Sequence, residues 1–353
     1  MNKKKLFITV TVLVLPAILL GVFLFLGSET AFMLNFPQGR YQSITADPSA
    51  GFHWDYLLYT PKKVTSSYLL VIPNNTGHDD DDLAVHRAAA KQEITRRHTL
   101  ADDLGTPLLV PVFPRPDGYY VHNLDRNVLL ATQDGYQRVD LQLLAMVEDA
   151  RLRLAERDLQ IEPRFLLWGF SASGTFSDRF SLLHPDRLVA VASAGSHSLP
   201  FATYAGENLP YPVGTYDYEA ITGVPFDMDA FAALPRFLYQ GDQDHGGYFT
   251  SNGTRYLADE YFDLFTRPEV EARLASAPTP LITGSEMSWE DEDLLKYRIY
   301  QGAVFVDEFI AIRQIYAEAG LEQTQFKLYP GVEHEITTEM RNDVREFFLA
   351  QIH

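Results

Sequence analysis

Residues 165–174 read Phe165-Leu166-Leu167-Trp168-Gly169-Phe170-Ser171-Ala172-Ser173-Gly174. A short, bulky apolar run of this kind suits a strand buried on both faces of a sheet. It ends on a serine among small residues, and helical spacing follows over 173–184. A serine on a sharp strand-to-helix turn needs small neighbours two positions to either side, because larger side chains would collide where the chain doubles back. Gly169 and Ser173 meet that need, with Ser173 standing where glycine is commoner, and Gly174 permits close packing of the helix. The helix start also aims N–H groups at any negative charge developing beside the serine. Taken alone, the string is equally an ordinary Gly/Ser turn. The strand before it, the helix after it and the partners downstream select the chemical reading, with Ser171 as nucleophile.

A serine hydroxyl of ordinary pKa needs a histidine within hydrogen-bond reach and a carboxylate to orient that histidine. On a strand–turn–helix of this type the partners follow in the order serine, acid, histidine. A late strand over 325–329 runs into Pro330-Gly331-Val332-Glu333-His334, which places His334 in a strand-end loop. His86, His98 and His184 sit in helical patterns, His53 precedes the first expected strand and His353 is terminal. Between serine and histidine, the strand 236–240 leads into Gly241-Asp242-Gln243-Asp244. Asp244 is preferred as the orienting acid for its reach. Asp242 is read as a turn cap, and Glu333 adjoins His334 with a side chain expected to diverge from the ring. The oxyanion of a tetrahedral intermediate needs the N–H of Ala172 and a second donor from an earlier strand-end loop. Pro73-Asn74-Asn75-Thr76-Gly77 supplies that loop, with Asn75 or Thr76 as the donor. The acids Asp79 to Asp82 lack the alternating spacing of a calcium loop and favour the start of a helix near Leu83; no metal site is expected.

Outward from these motifs, strands are expected over 54–59, 68–72, 107–113, 164–169, 188–194, 236–240 and 325–329, and helices over 83–104, 138–157, 173–184, 307–319 and 335–352. Such alternation means an α/β domain with a mostly parallel sheet covered on both faces. Its chemistry belongs at the carboxyl ends of the strands. No repeat or linker divides residues 35–353, so they are expected to form one domain.

The chain has 353 residues, 46% of them hydrophobic, enough to bury a large core. Its formal charge of −18 repels phosphate backbones and argues against a nucleic-acid partner. With no cysteine, thiol catalysis, disulfides and thiolate metal sites are excluded. Lys3, Lys4 and Lys5 precede the apolar residues 6–26. As a helix that run is roughly 32 Å long, enough to span a bilayer and longer than a usual signal-peptide core. Residues 1–34 therefore read as an N-terminal membrane anchor, or a long signal peptide, with the body sent outside the cytoplasm.

The elbow string 168–174, the Pro-Asn-Asn-Thr-Gly loop at 73–77, Phe113-Pro114-Arg115-Pro116 and the 330–334 loop resemble bacterial extracytoplasmic α/β-hydrolases of the esterase and depolymerase-like kind. The resemblance covers residues 54–352. It implies the α/β-hydrolase fold with eight strands, a Ser171–His334–Asp244 triad, no cofactor, and a small-molecule or polymeric ester as substrate. The long interval between Asp244 and His334 reads as an insertion over the site at 248–300. A peptidase or amidase would use the same triad, and a catalytically silent binding scaffold is the alternative of another class. Tyr119, Tyr120, Tyr211, Tyr216, Tyr218 and Tyr248 are candidates for an apolar cleft, with His122 and His197 as further candidate contacts or structural residues.

Overall fold

The computed structural model describes residues 39–77, 79–116, 121–133, 135–195, 197–245, 248–251, 254–257 and 289–352, together with Phe32 and Phe36. The apolar segment 6–26 lies outside them, as do Tyr119, Tyr120 and most of the expected insertion. Among the described residues no helix is long and apolar enough to cross a membrane.

Eight strands form the main sheet: β1 (Gly39–Ile44), β2 (Tyr56–Pro61), β3 (Leu69–Val71), β4 (Leu108–Pro111), β5 (Phe165–Phe170), β6 (Leu188–Ala194), β7 (Arg236–Gly241) and β8 (Thr324–Tyr329). Their order is β1-β2-β4-β3-β5-β6-β7-β8. β2 runs antiparallel to both β1 and β4, and every pairing from β4 across to β8 is parallel. The principal helices are α1 (Leu83–Leu104), α2 (Val139–Ala155), α3 (Ala172–Leu183), α4 (Trp289–Ile299), α5 (Val306–Glu318) and α6 (Thr338–Ile352).

Strand side chains alternate between the two faces, and the core divides accordingly. Leu58, Val71, Leu109 and Leu167 pack with Val139, Met146, Phe176 and Ile312 on one side. Leu57, Leu70, Val110 and Trp168 pack with Ala90, Ile94, Val344 and Phe348 on the other. The first face is covered by α2, α3 and α5, the second by α1 and α6. Covered on both faces, β6 buries all of its residues, and this is why its sequence shows no polar alternation.

Two local departures from the sequence expectations have physical causes. β1 is absent from the expected strands because it buries only Tyr41 and Ile44, one toward each face, so no period-2 signal survives at this edge. α6 begins at Thr338, three residues later than expected, because Thr337 Oγ1 accepts the Met340 N–H at 3.2 Å and caps the helix there. Within the stretch read as an insertion, α4 sends Leu295 and Ile299 into the core, and its Glu292 pairs with the buried Arg179 of α3.

Candidate active site

Ser171 sits between β5 and α3 at φ 58° and ψ −126°, a region that costs a non-glycine residue about 1–3 kcal/mol. The surroundings hold it there. Ser171 N–H donates to Ala194 O at 2.6 Å, and Thr175 N–H donates to Ser171 O at 2.9 Å. A Cβ on Gly169 would lie 1.9 Å from Ser173 O, and one on Gly174 would lie 2.1 Å from Ala194 O, so both positions require glycine. Ser173 does more than stay small. Its Oγ donates to Phe170 O at 2.9 Å and accepts Phe170 N–H at 3.0 Å, lacing the turn across the nucleophile position.

The loops after β7 and β8 converge on that serine. His334 Nε2 lies 2.9 Å from Ser171 Oγ, and His334 Nδ1 lies 3.0 Å from each carboxylate oxygen of Asp244. With the Nδ1 proton donated to the carboxylate, the Nε2 lone pair faces the serine hydroxyl. The Asp244 side chain is only 10% exposed and that of His334 37%, so the acid is sheltered while the imidazole edge stays open. Phe170 packs against the imidazole with ring centroids 4.9 Å apart. Asp242 does what a turn cap does: its Oδ1 accepts Gly331 N–H at 2.6 Å, and its own N–H donates to Tyr329 O at 3.0 Å. It thus braces the 330–334 loop without touching the ring.

A cavity of about 800 Å³ opens over Ser171 and His334, with apolar walls from Ile72, Trp168, Phe170 and Ile336 and charged ones from Glu93, Arg96, Arg97 and Arg341. The two oxyanion candidates part company here. Asn75 lines the cavity, and its Nδ2 donates to Phe170 O at 3.1 Å, tying the loop after β3 to the nucleophile turn. Thr76 is buried behind it, with Oγ1 2.9 Å from His86 Nδ1 and its carbonyl accepting from Arg115 Nη1 at 2.8 Å. Asn74 joins the loops after β3 and β4 by donating to Phe113 O and accepting Phe113 N–H. Three of the four acids of the 79–82 run have partners in local structure. Asp79 pairs with Arg115 at 2.6 Å, Asp80 accepts the Asp82 N–H at 2.8 Å, and Asp82 caps α1 through Ala84 N–H at 2.8 Å.

The strand order, the turn after β5, the acid after β7 and the histidine after β8 together decide the architecture. The fold is that of the α/β-hydrolases. The chain matches no family model and no curated protein sequence. Among solved structures it is similar to poly(aspartic acid) hydrolase-1 from Sphingomonas sp. KT-1, at 14% identity over 90% of this chain and 98% of that one, with a TM-score of 0.50. It is also similar to a poly(3-hydroxybutyrate) depolymerase from Bordetella parapertussis, at 17% identity over 90% and 91% of the two chains, with a TM-score of 0.46. A third likeness is to an S-formylglutathione hydrolase from Agrobacterium tumefaciens, at 13% identity over 90% and 96%, with a TM-score of 0.43.

On this α/β-hydrolase frame several candidate substrate contacts prove to be structural. Tyr211 and Tyr218 are buried, with their hydroxyls donating to Leu124 O and Leu183 O. Tyr216 is exposed and is not among the residues lining the cavity. His122 is 1% exposed; burial, with the nearby Arg115 charge second, pushes its pKa down to about 3 and keeps it neutral. His197 is 3% exposed and pairs with Asp178. Conversely, Glu93, Arg96, Arg97 and Arg341 line the cavity without any sequence motif announcing them. Their only signal is topological, since α1 follows the 73–77 loop and α6 follows the 330–334 loop.

Proposed function

We propose that the chain is a serine hydrolase that cleaves carboxylic esters through an acyl-enzyme. Ser171 Oγ attacks the ester carbonyl while His334 Nε2 takes its proton, and Asp244 holds the imidazole tautomer and stabilises the imidazolium as it forms. The backbone N–H groups of Ala172 and Asn75 bind the oxyanion. Collapse breaks the carbon–oxygen bond to the alcohol, which leaves with the proton from His334. Water, deprotonated by the same nitrogen, then attacks the acyl carbonyl and returns Ser171. The observation that carries this reading is the single imidazole bonded at one nitrogen to Asp244 and at the other to Ser171. The poly(aspartic acid) hydrolase that the chain resembles in fold is named for hydrolysis, in keeping with this reading.

A fluorophosphonate probe tests it: covalent labelling located at Ser171 by peptide mass spectrometry, with loss of p-nitrophenyl ester turnover, is the expected result. A folded protein that neither labels nor turns over esters would instead be the binding scaffold. The body is further proposed to work outside the cytoplasm, held by residues 6–26 behind Lys3, Lys4 and Lys5. A periplasmically active alkaline phosphatase fused after residue 40 should then be enzymatically active, and an inactive fusion overturns the topology.

A further inference from the structure

The walls of the Ser171 cavity carry a charge that the rest of the chain does not. The sequence holds 47 acidic residues against 29 lysines and arginines, yet among the described residues the cavity is lined by Arg96, Arg97 and Arg341 and by one acid, Glu93. Solubility asks for no added cations in so acidic a chain.

The three arginines are not alike. Arg97 is built into the wall: its side chain is 10% exposed, its Nε lies 3.3 Å from Glu93 Oε2, and its guanidinium stacks 4.4 Å over the Trp168 ring. Glu93 balances its charge. Arg96 is 64% exposed and reaches Glu93 only at 3.7 Å. Arg341, on α6, donates to Thr338 Oγ1 at 2.8 Å and has no carboxylate partner among the described residues. After the Glu93–Arg97 pair is set aside, two exposed guanidiniums remain on the walls of the cavity that Ser171 and His334 also line.

We infer that Arg96 and Arg341 form an anion subsite that selects esters bearing a carboxylate. A neutral ester gains nothing from two exposed guanidiniums. A carboxylate gains charge-assisted, bidentate-capable hydrogen bonds from them, with the apolar walls at Ile72, Phe170 and Ile336 taking the carbon chain between carboxylate and scissile bond. The subsite comes from two helices, one following the oxyanion loop and one following His334, so a bound carboxylate would bridge the two sides of the cleft above the nucleophile. The net negative charge of the chain offers an anionic substrate no general attraction, so local cations such as these must supply it.

This inference rests on the serine-hydrolase reading, and the experiment separates the two. The probes are two matched pairs: p-nitrophenyl hemisuccinate against p-nitrophenyl butyrate for an acyl-side carboxylate, and 4-acetoxybenzoate against 4-acetoxybenzamide for an alcohol-side one. In at least one pair the wild-type protein should prefer the anion in kcat/KM, chiefly through KM. That preference should weaken as ionic strength rises past the range where exposed charges are screened. In the Arg96→Gln/Arg341→Gln double variant the anionic-to-neutral ratio should fall roughly tenfold, as expected for lost charge-assisted hydrogen bonds at an exposed site. An unchanged ratio, or an equal fall for both members of a pair, overturns the subsite while leaving the hydrolase reading intact. No turnover of any probe and no fluorophosphonate labelling of folded protein overturns both. Both arginines are exposed, so the double variant is expected to fold, and the salt dependence of the wild-type preference tests the same point without any substitution.

Discussion

Among the described residues, two histidines in strand-end loops, His334 and His197, pair with an aspartate, and of these two His334 faces a serine hydroxyl. His334, after β8, meets Asp244 with one nitrogen and Ser171 Oγ with the other, with its side chain 37% exposed. His197, after β6, lies 3.4 Å from Asp178 and is buried. The carboxylates differ as much as the rings. Asp178 also takes Arg236 Nη2 at 2.6 Å and Ser198 N–H at 2.8 Å. Arg236 goes on to Tyr316 Oη at 2.9 Å, and that hydroxyl donates to Ser198 O at 2.8 Å. Burial alone would raise the Asp178 carboxyl, but Arg236, His197 and the Ser198 N–H more than offset it and hold the group below its ordinary value. The second pair therefore fastens α3, β7, α5 and the loop after β6 together. What separates chemistry from structure is what the far nitrogen of the imidazole meets.

If that distinction is right, the largest effect belongs to Ser171→Ala. Ester turnover should fall by at least about 10⁴-fold, with the melting temperature nearly unchanged, because the role of the side chain is chemical. Near-normal turnover by this variant would break the comparison outright. Asp244→Asn comes next. The amide cannot select the same tautomer or stabilise the imidazolium, and kcat should drop by roughly 10³–10⁴-fold without loss of folding.

Asp178→Ala makes the opposite prediction. It leaves the buried Arg236 without its carboxylate, an arrangement that costs about 3–5 kcal/mol, read as a lowered midpoint in urea unfolding. Turnover per folded molecule should stay within a few-fold of wild type. The sign with pH follows from the depressed carboxyl: the Asp178 contribution is complete above the ordinary pKa of 3.8 and is lost as pH falls through the lower, folded-state value. The stability gap between wild type and variant should therefore close in acid. A large kcat loss in fully folded Asp178→Ala would erase the contrast between the pairs.

The sequence shows the site more clearly than it shows the sheet edges and the walls of the cavity. Ser171, Asp244 and His334 are legible because each lies in a turn or loop just past an expected strand, and because their order along the chain is one this architecture uses. The choice of Asp244 over Asp242 rests on reach alone, and in the structure Asp244 bonds the ring while Asp242 bonds Gly331. Thr76 and Asn75 are indistinguishable in sequence; in the structure Asn75 lines the cavity, while the Thr76 side chain turns away to His86. The cavity arginines are invisible for a related reason. Arg96 and Arg97 sit among other charged residues of α1, and nothing local shows that this helix packs beside α6 and lines one cavity with Ser171. β1 escapes notice because two buried side chains in six leave no alternation to detect.

The smallest effect, and the finest discrimination, is expected at Asp242. Its Oδ1 accepts the Gly331 N–H at 2.6 Å, and Gln243 N–H donates to Val332 O at 3.0 Å, so the loop carrying His334 is clasped by the loop carrying Asp244. Asp242→Asn retains an acceptor oxygen for Gly331 but exchanges a charge-assisted bond for a neutral one, a loss of about 1 kcal/mol. If all of that appeared as misplacement of His334 it would slow turnover by no more than about fivefold. Asp242→Asn measured beside Asp244→Asn therefore sets a bracing role against an orienting one on adjacent turns of a single loop. The expected ratio of the two losses exceeds a hundredfold in favour of Asp244. A larger loss at Asp242 would transfer the orienting role to it, because a clasp that still has its acceptor cannot account for the disappearance of catalysis.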